Sequence, residues 1–206
     1  MNPVLRRLVL VRHGETVGRS SIRYHGVTDV ALSDVGQAQM ARVGSALRGE
    51  TFDAVLTSGL QRTVAAAAII APTAPMRALA GFNEIDFGDW EGLTREEIEA
   101  RDPARFAEWS AALGEFTYPN GDAAPAFRRR VASTWATELP ALPARVLVVA
   151  HKGVIGTILA DLLHLSPQDR STLPIDLASI HVLRGDGGCG WVAERVNDVR
   201  HLDGLS

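Results

Sequence analysis

A chain of 206 residues with 46% hydrophobic and 22% charged residues is long enough to bury a substantial core, and its composition is ordinary for a soluble globular protein. A net charge of −3 excludes a general nucleic-acid binder, which needs a basic face. Any anion site must therefore be a local concentration of Arg and His.

The first stretch, Met1 to Val11, sets two arginines before an apolar run. That run is too short for a signal-peptide core and has no small-residue cleavage site after it. No run approaches transmembrane length, so the expected compartment is the cytoplasm, with no membrane partner. Leu8-Val9-Leu10-Val11 reads as a buried parallel strand that stops at Arg12-His13-Gly14-Glu15-Thr16. Ligands bind at the carboxyl ends of such strands in open α/β sheets. A guanidinium held there is costly without an anion, and Gly14 would let backbone approach a ligand closely.

Val17 to Ala31 reads as a polar loop carrying Arg19, Arg23 and His25, and loops held by a rigid sheet often carry function. Ser33 or Asp34 caps a helix running to about Leu47, with Met40, Val43 and Leu47 on one face. Phe52 to Leu56 is a second strand, and Leu60 to Ala71 is a helix closed by Pro72. Arg62 falls in its first turn, where free N–H groups and a guanidinium fork suit phosphate. A surface arginine on an alanine-rich helix would read the same. Met76 to Leu79 is a short third strand.

Gly81 to Gly92 is a glycine-punctuated loop with acids among aromatics. Glu84 near Phe82, Phe87 and Trp90 suits a proton donor of raised pKa, and Asp86, Asp89 and Glu91 compete with it on composition. Thr94 and Glu97 form a capping box, Pro103 opens a helix through Trp109, and Asp122 caps a longer one with Phe127, Val131, Trp135 and Leu139 every fourth residue. Val146-Leu147-Val148-Val149-Ala150 then repeats the opening phrase, ending at His151-Lys152-Gly153. Gly153 to His164 is helical, and Ala178 to Arg184 and Trp191 to Val196 are closing strands joined by a glycine-rich turn. Cys189 falls in that turn among Gly187, Gly188 and Gly190; as the single cysteine it excludes an intrachain disulfide and offers no zinc-ligand spacing. The elements add up to a single α/β domain over 1–206: a three-layer sandwich with a mostly parallel sheet between helices. Trp109 and Trp135 read as core, and the alanine-rich helices leave room for a homodimer.

With these residues in view the chain resembles the histidine phosphatase superfamily, the phosphoglycerate mutase-like proteins. Arg12-His13-Gly14-Glu15-Thr16 is similar to its signature. Gly26, Asp29, Leu32, Gly36 and Gln37 follow it, and then Ser58, Leu60, Arg62 and Thr63. Glu84 with Gly88, Trp90, Glu91 and Gly92, and finally His151 with Gly153, complete five blocks in family order. The resemblance implies a metal-independent phosphomonoesterase acting on a small phosphorylated metabolite, with no cofactor. His13 would be the nucleophile forming a phosphohistidine, Arg12, Arg62 and His151 would hold the phosphoryl oxygens, and Glu84 would be the proton donor. The alternatives are phosphoglycerate mutase-type phosphoryl transfer and a catalytically silent binding module of the same fold. Arg19, His25 and Lys152 depart from residues common in the family, while Arg23 keeps the usual arginine. Together Arg19, Arg23, His25 and Lys152 would make the pocket mouth cationic and suit a substrate with a second anionic group.

Overall fold

The computed structural model describes residues 6–112, 114–185 and 190–205. Residues 186–189, where the sequence predicts a glycine-rich turn with Cys189, lie outside the described residues. One six-stranded sheet runs through the molecule in the order β3-β2-β4-β1-β5-β6. The strands are β1 (Arg7–Arg12), β2 (Ala54–Thr57), β3 (Met76–Ala78), β4 (Arg145–Ala150), β5 (Ile180–Gly185) and β6 (Trp191–Asp198). β3, β2, β4 and β1 pair in parallel, β5 lies antiparallel to β1, and β6 antiparallel to β5. The mostly parallel sheet is as expected.

Apart from the arginines at their ends, β1 and β4 are apolar because both of their faces are covered. Leu8 and Leu10 of β1, with Val146, Val148 and Ala150 of β4, point into one core. Val9, Val11, Leu147 and Val149 point into the other. Each of these valines and leucines, wholly buried, contributes about 1.5–3 kcal/mol. The second core is closed by α1 (Asp34–Ala46) and α2 (Gln61–Ile70), through Met40, Val43, Ala66 and Ala67. The first lies under α3 (Arg95–Arg101), α4 (Pro103–Ala111), α5 (Ala124–Glu138) and α6 (Lys152–Leu162). The result is the expected three-layer α/β sandwich.

Local signals act largely as read. Ser33 Oγ accepts from Gly36 N at 3.1 Å and starts α1. Thr94 and Glu97 close the capping box of α3. Asp102 caps α4, with Pro103 in its first turn. α5 departs from expectation: its N-cap is Ala123, with no side-chain cap. The Asp122 carboxylate instead accepts from Asp86 N at 3.1 Å and pairs with Arg130 at 3.5 Å, so it fastens the acid loop. A short helix, α7 (Pro167–Thr172), was not expected; Ser166 caps it. β5 begins two residues late because Ala178 takes a left-handed φ of 59°. Among the described residues, no helix is long and apolar enough to cross a membrane.

Candidate active site

The parallel pairing of β1 with β4 runs to Arg12 opposite Ala150, so the next residues, His13 and His151, leave adjacent strands side by side. Their rings stand edge to face, centroids 5.2 Å apart. Both are buried. The His13 backbone is held from two sides, its N–H by Ala150 O at 3.1 Å and its carbonyl by Ala178 N at 3.2 Å. Nδ1 donates to Gly14 O at 2.8 Å, which leaves the proton-free lone pair on Nε2. Burial, then the charges of Arg12 and Arg62, hold the His13 pKa well below the usual imidazole value. Gly14 serves packing rather than ligand approach. A Cβ there would lie 2.7 Å from Gly36 O, so the glycine lets α1 close against the loop.

Arg62 is wholly buried. Its Nη1 donates to Thr28 O at 2.8 Å, and its Nη2 to Gly26 O at 2.6 Å and His25 O at 3.3 Å. Its Nε donates to His151 Nδ1 at 3.3 Å. Because a guanidinium can only donate, His151 carries its proton on Nε2, which bonds Ser58 Oγ at 2.8 Å. Ser58 in turn bonds Thr63 Oγ1 at 2.9 Å, and Thr63 donates to Leu60 O. Burial first, then Arg62, keeps His151 well below its ordinary pKa. Both of its ring nitrogens are engaged with protein, so an oxyanion contact from His151 requires one of those bonds to exchange. The α2 N-terminus is less open than the sequence suggested, since Asp29 Oδ1 takes Gln61 N at 2.8 Å and Ser58 Oγ takes Leu60 N. Arg12 donates through Nη1 to Ile175 O at 2.8 Å, and its buried Nε has no partner among the described residues.

The four candidate acids separate by contact. Glu84 is buried; its Oε1 accepts from Ile85 N at 3.0 Å and its Oε2 from Gly153 N at 2.9 Å. Burial raises its pKa against the opposing pull of those amides and of Arg12 and Arg62. Asp86 accepts from Gly88 N, Asp89 pairs with the Asn120 amide, and Glu91 is filled by backbone N–H groups. Of the four, Glu84 lines the pocket.

That pocket measures about 700 Å³ and gathers Arg12, His13, Glu84, Arg23, His25 and Lys152. Phe87, expected beside Glu84, also lines it, as do Tyr24, Ile22, Arg95, Asp176 and Leu177, which carried no signal in the sequence beyond their neighbours' motifs. Arg62 and His151 stand behind His13 rather than on the pocket surface. The mouth is less cationic than expected. Arg19 is exposed and outside the lining, Arg23 is bound by Glu97 at 2.7 Å and Gly92 O at 2.6 Å, and His25 bonds Gly18 O at 3.0 Å. Lys152 has no ion pair among the described residues; loss of water around its ammonium, then Arg12, lowers its pKa.

The family model of the histidine phosphatase superfamily (branch 1) matches residues 8–199. This chain belongs to that superfamily. An adenosylcobalamin/alpha-ribazole phosphatase of Salmonella typhimurium is 32% identical over 91% of this chain and 89% of its own length. A glucosyl-3-phosphoglycerate phosphatase of Mycolicibacterium vanbaalenii is 30% identical over 91% and 83%. The solved structure of Bacillus stearothermophilus YhfR superposes with a TM-score of 0.83 at 26% identity, covering 96% of this chain and 99% of that one. The histidine phosphatase fold and the phosphatase class of enzyme therefore both hold for this chain.

Proposed function

We propose that this histidine phosphatase hydrolyses a phosphorylated metabolite through a phosphohistidine at His13, without a metal or other cofactor. One observation carries the reading: His13 presents a bare Nε2 in the same pocket as Arg12 and a buried Glu84 whose pKa burial raises. In the first step Nε2 attacks phosphorus in line, the bond from phosphorus to the leaving oxygen breaks, and Glu84 gives that oxygen its proton. In the second, water attacks the phosphohistidine, its proton passes to the Glu84 carboxylate, and the P–N bond breaks to free phosphate and neutral His13. Arg12, whose buried Nε has no partner among the described residues, and Arg62, acting from behind His13, stabilise the charge spread over the phosphoryl oxygens. His151 orders Arg62 at the back of the site.

The pocket is far larger than a phosphoryl group, and Tyr24 and Phe87 make an apolar wall. Two of the relatives are named as an adenosylcobalamin/alpha-ribazole phosphatase and a glucosyl-3-phosphoglycerate phosphatase, and an organic phosphate of that kind suits such a pocket. With Arg23 held by Glu97, Lys152 and Arg95 are the lining cations that remain to meet a second anionic group on the substrate. The test is phosphate release from a panel of phosphorylated metabolites by wild type and His13→Ala, with EDTA throughout. Turnover that persists in EDTA and vanishes in the variant supports the reading. Isomerisation of 3-phosphoglycerate with 2,3-bisphosphoglycerate, without phosphate release, would instead make the enzyme a mutase.

A further inference from the structure

Glu91, which competes with Glu84 on composition, is not itself part of the pocket lining, yet it is the most heavily bonded acid of its loop. Its carboxylate accepts from Gly26 N at 3.0 and 3.1 Å, Val27 N at 3.3 Å, Thr28 N at 3.3 Å and Phe87 N at 3.1 Å, and from the Thr28 hydroxyl. A trans peptide points its N–H and C=O in opposite directions. The unit joining His25 to Gly26 therefore gives its N–H to Glu91 and its carbonyl to Arg62 Nη2. The unit joining Gly26 to Val27 does the same, with its carbonyl 2.6 Å from Nη2. Two peptide dipoles thus lie between a carboxylate and a guanidinium, each charge at the end that it stabilises, and such bonds reinforce one another. Gly26 is obligatory in this arrangement, because a Cβ would fall 1.8 Å from Ile85 O and 2.5 Å from Glu91 Oε1.

We infer that Glu91 is a positioning residue for Arg62: through the two peptide units between residues 25 and 27, it fixes the guanidinium that steadies the phosphoryl group. The inference rests on the proposed role of Arg62. The same carboxylate also joins the acid loop to the loop after β1, because it accepts Phe87 N from one and the 26–28 amides from the other.

The experiment is competitive inhibition by vanadate and by inorganic phosphate, measured against an aryl phosphate with the full chain. An inhibition constant does not depend on how much of the enzyme is folded, so it separates positioning from mere stability. Glu91→Gln puts an amide donor against backbone donors and should weaken vanadate about 10- to 100-fold, the scale on which small misplacements act. Glu91→Asp keeps the charge but shortens its reach, and should weaken vanadate by less. Neither variant should shift the pH limbs set by His13 and Glu84. Arg62→Lys should weaken vanadate as well, and adding Glu91→Gln to it should weaken binding little further, because both act through one guanidinium. Vanadate affinity unchanged in Glu91→Asp, or additive losses in the double variant, would overturn the inference while leaving the role of Arg62 intact. An unaffected Arg62→Lys would overturn both.

Discussion

His13 and His151 face each other with ring planes at 66° and centroids 5.2 Å apart, and the proton of each is placed by a partner with no choice. Gly14 O can only accept, so it holds a proton on His13 Nδ1; Arg62 Nε can only donate, so it holds His151 Nδ1 bare. Both rings are neutral, and they differ in what their second nitrogen does. His151 Nε2 is spent on Ser58, whereas no hydrogen bond within the described residues takes up His13 Nε2.

This arrangement sets the pH dependence. Attack needs neutral His13, which is present above a pKa held well below 6.5 by burial and then by Arg12 and Arg62. Leaving-group protonation needs neutral Glu84, which is present below a pKa raised above 4.5 by burial. For an alkyl phosphate, kcat/KM should therefore rise on the acidic side as His13 loses its proton and fall as Glu84 ionises, giving a bell. An aryl phosphate, whose leaving group needs no proton, should keep a flatter alkaline side. A flat alkyl profile across about pH 5 to 8 would contradict these assignments.

Glu84→Gln should cost about 10²- to 10⁴-fold in turnover of an alkyl phosphate, the usual worth of a positioned acid–base group. With an aryl phosphate the first step should survive better than the second, which needs the carboxylate as base. Stopped-flow traces should then show a phenolate burst followed by slow turnover. A single slow phase with no burst would remove Glu84 from the second step.

Gly153 has no room for a side chain. A Cβ would lie 2.5 Å from Glu84 Oε1 and 2.9 Å from the Phe127 ring. Gly153→Ala should cost about 1–3 kcal/mol of stability, as overpacking does, and should also lower kcat by pushing the acid from its place. Urea unfolding and steady-state kinetics on the same preparation test both; an unchanged kcat would show that Glu84 tolerates the displacement.

Stability should fall in acid partly through His181, a core histidine of β5 between Ser179 Oγ and Asn197 N, both at 3.1 Å. Burial lowers its pKa to about 4 from the unfolded 6.5. The unfolded chain thus binds the extra proton first. The stabilisation is whole above pH 6.5 and is lost as pH falls towards 4, by about 3 kcal/mol. His181→Gln, which can keep both bonds, should lose correspondingly less between neutral and acid pH in urea unfolding. Equal losses in the two proteins would show that His181 does not titrate in this window.

The sheet and its two histidines were legible because apolar runs covered on both faces look alike wherever they occur, and β1 and β4 are such runs. Their pairing could be guessed from the repeated phrase alone. Composition left the choice of acid open and the family resemblance alone pointed to Glu84, which differs from Asp86, Asp89 and Glu91 by burial and by the N–H groups its carboxylate meets; Gly153, one of those partners, is distant in sequence. The cationic mouth was overestimated because sequence counts charges without their partners; the fold gives Arg23 to Glu97 and turns Arg19 outside the pocket. Asp122 read as a cap because it precedes a helix, but the acid loop competes for it and Asp86 N wins. α7 is six residues with a polar sequence, too short to show a period.

The most direct test of the account is rapid-quench mapping of the phosphorylated residue in Glu84→Gln treated with an aryl phosphate. The account predicts an acid-labile, base-stable phosphoryl group on His13 that appears with the phenolate burst and is absent from a His13→Ala, Glu84→Gln double variant. A phosphoryl group on another residue, or turnover that persists in His13→Ala with no labelled intermediate, would contradict it.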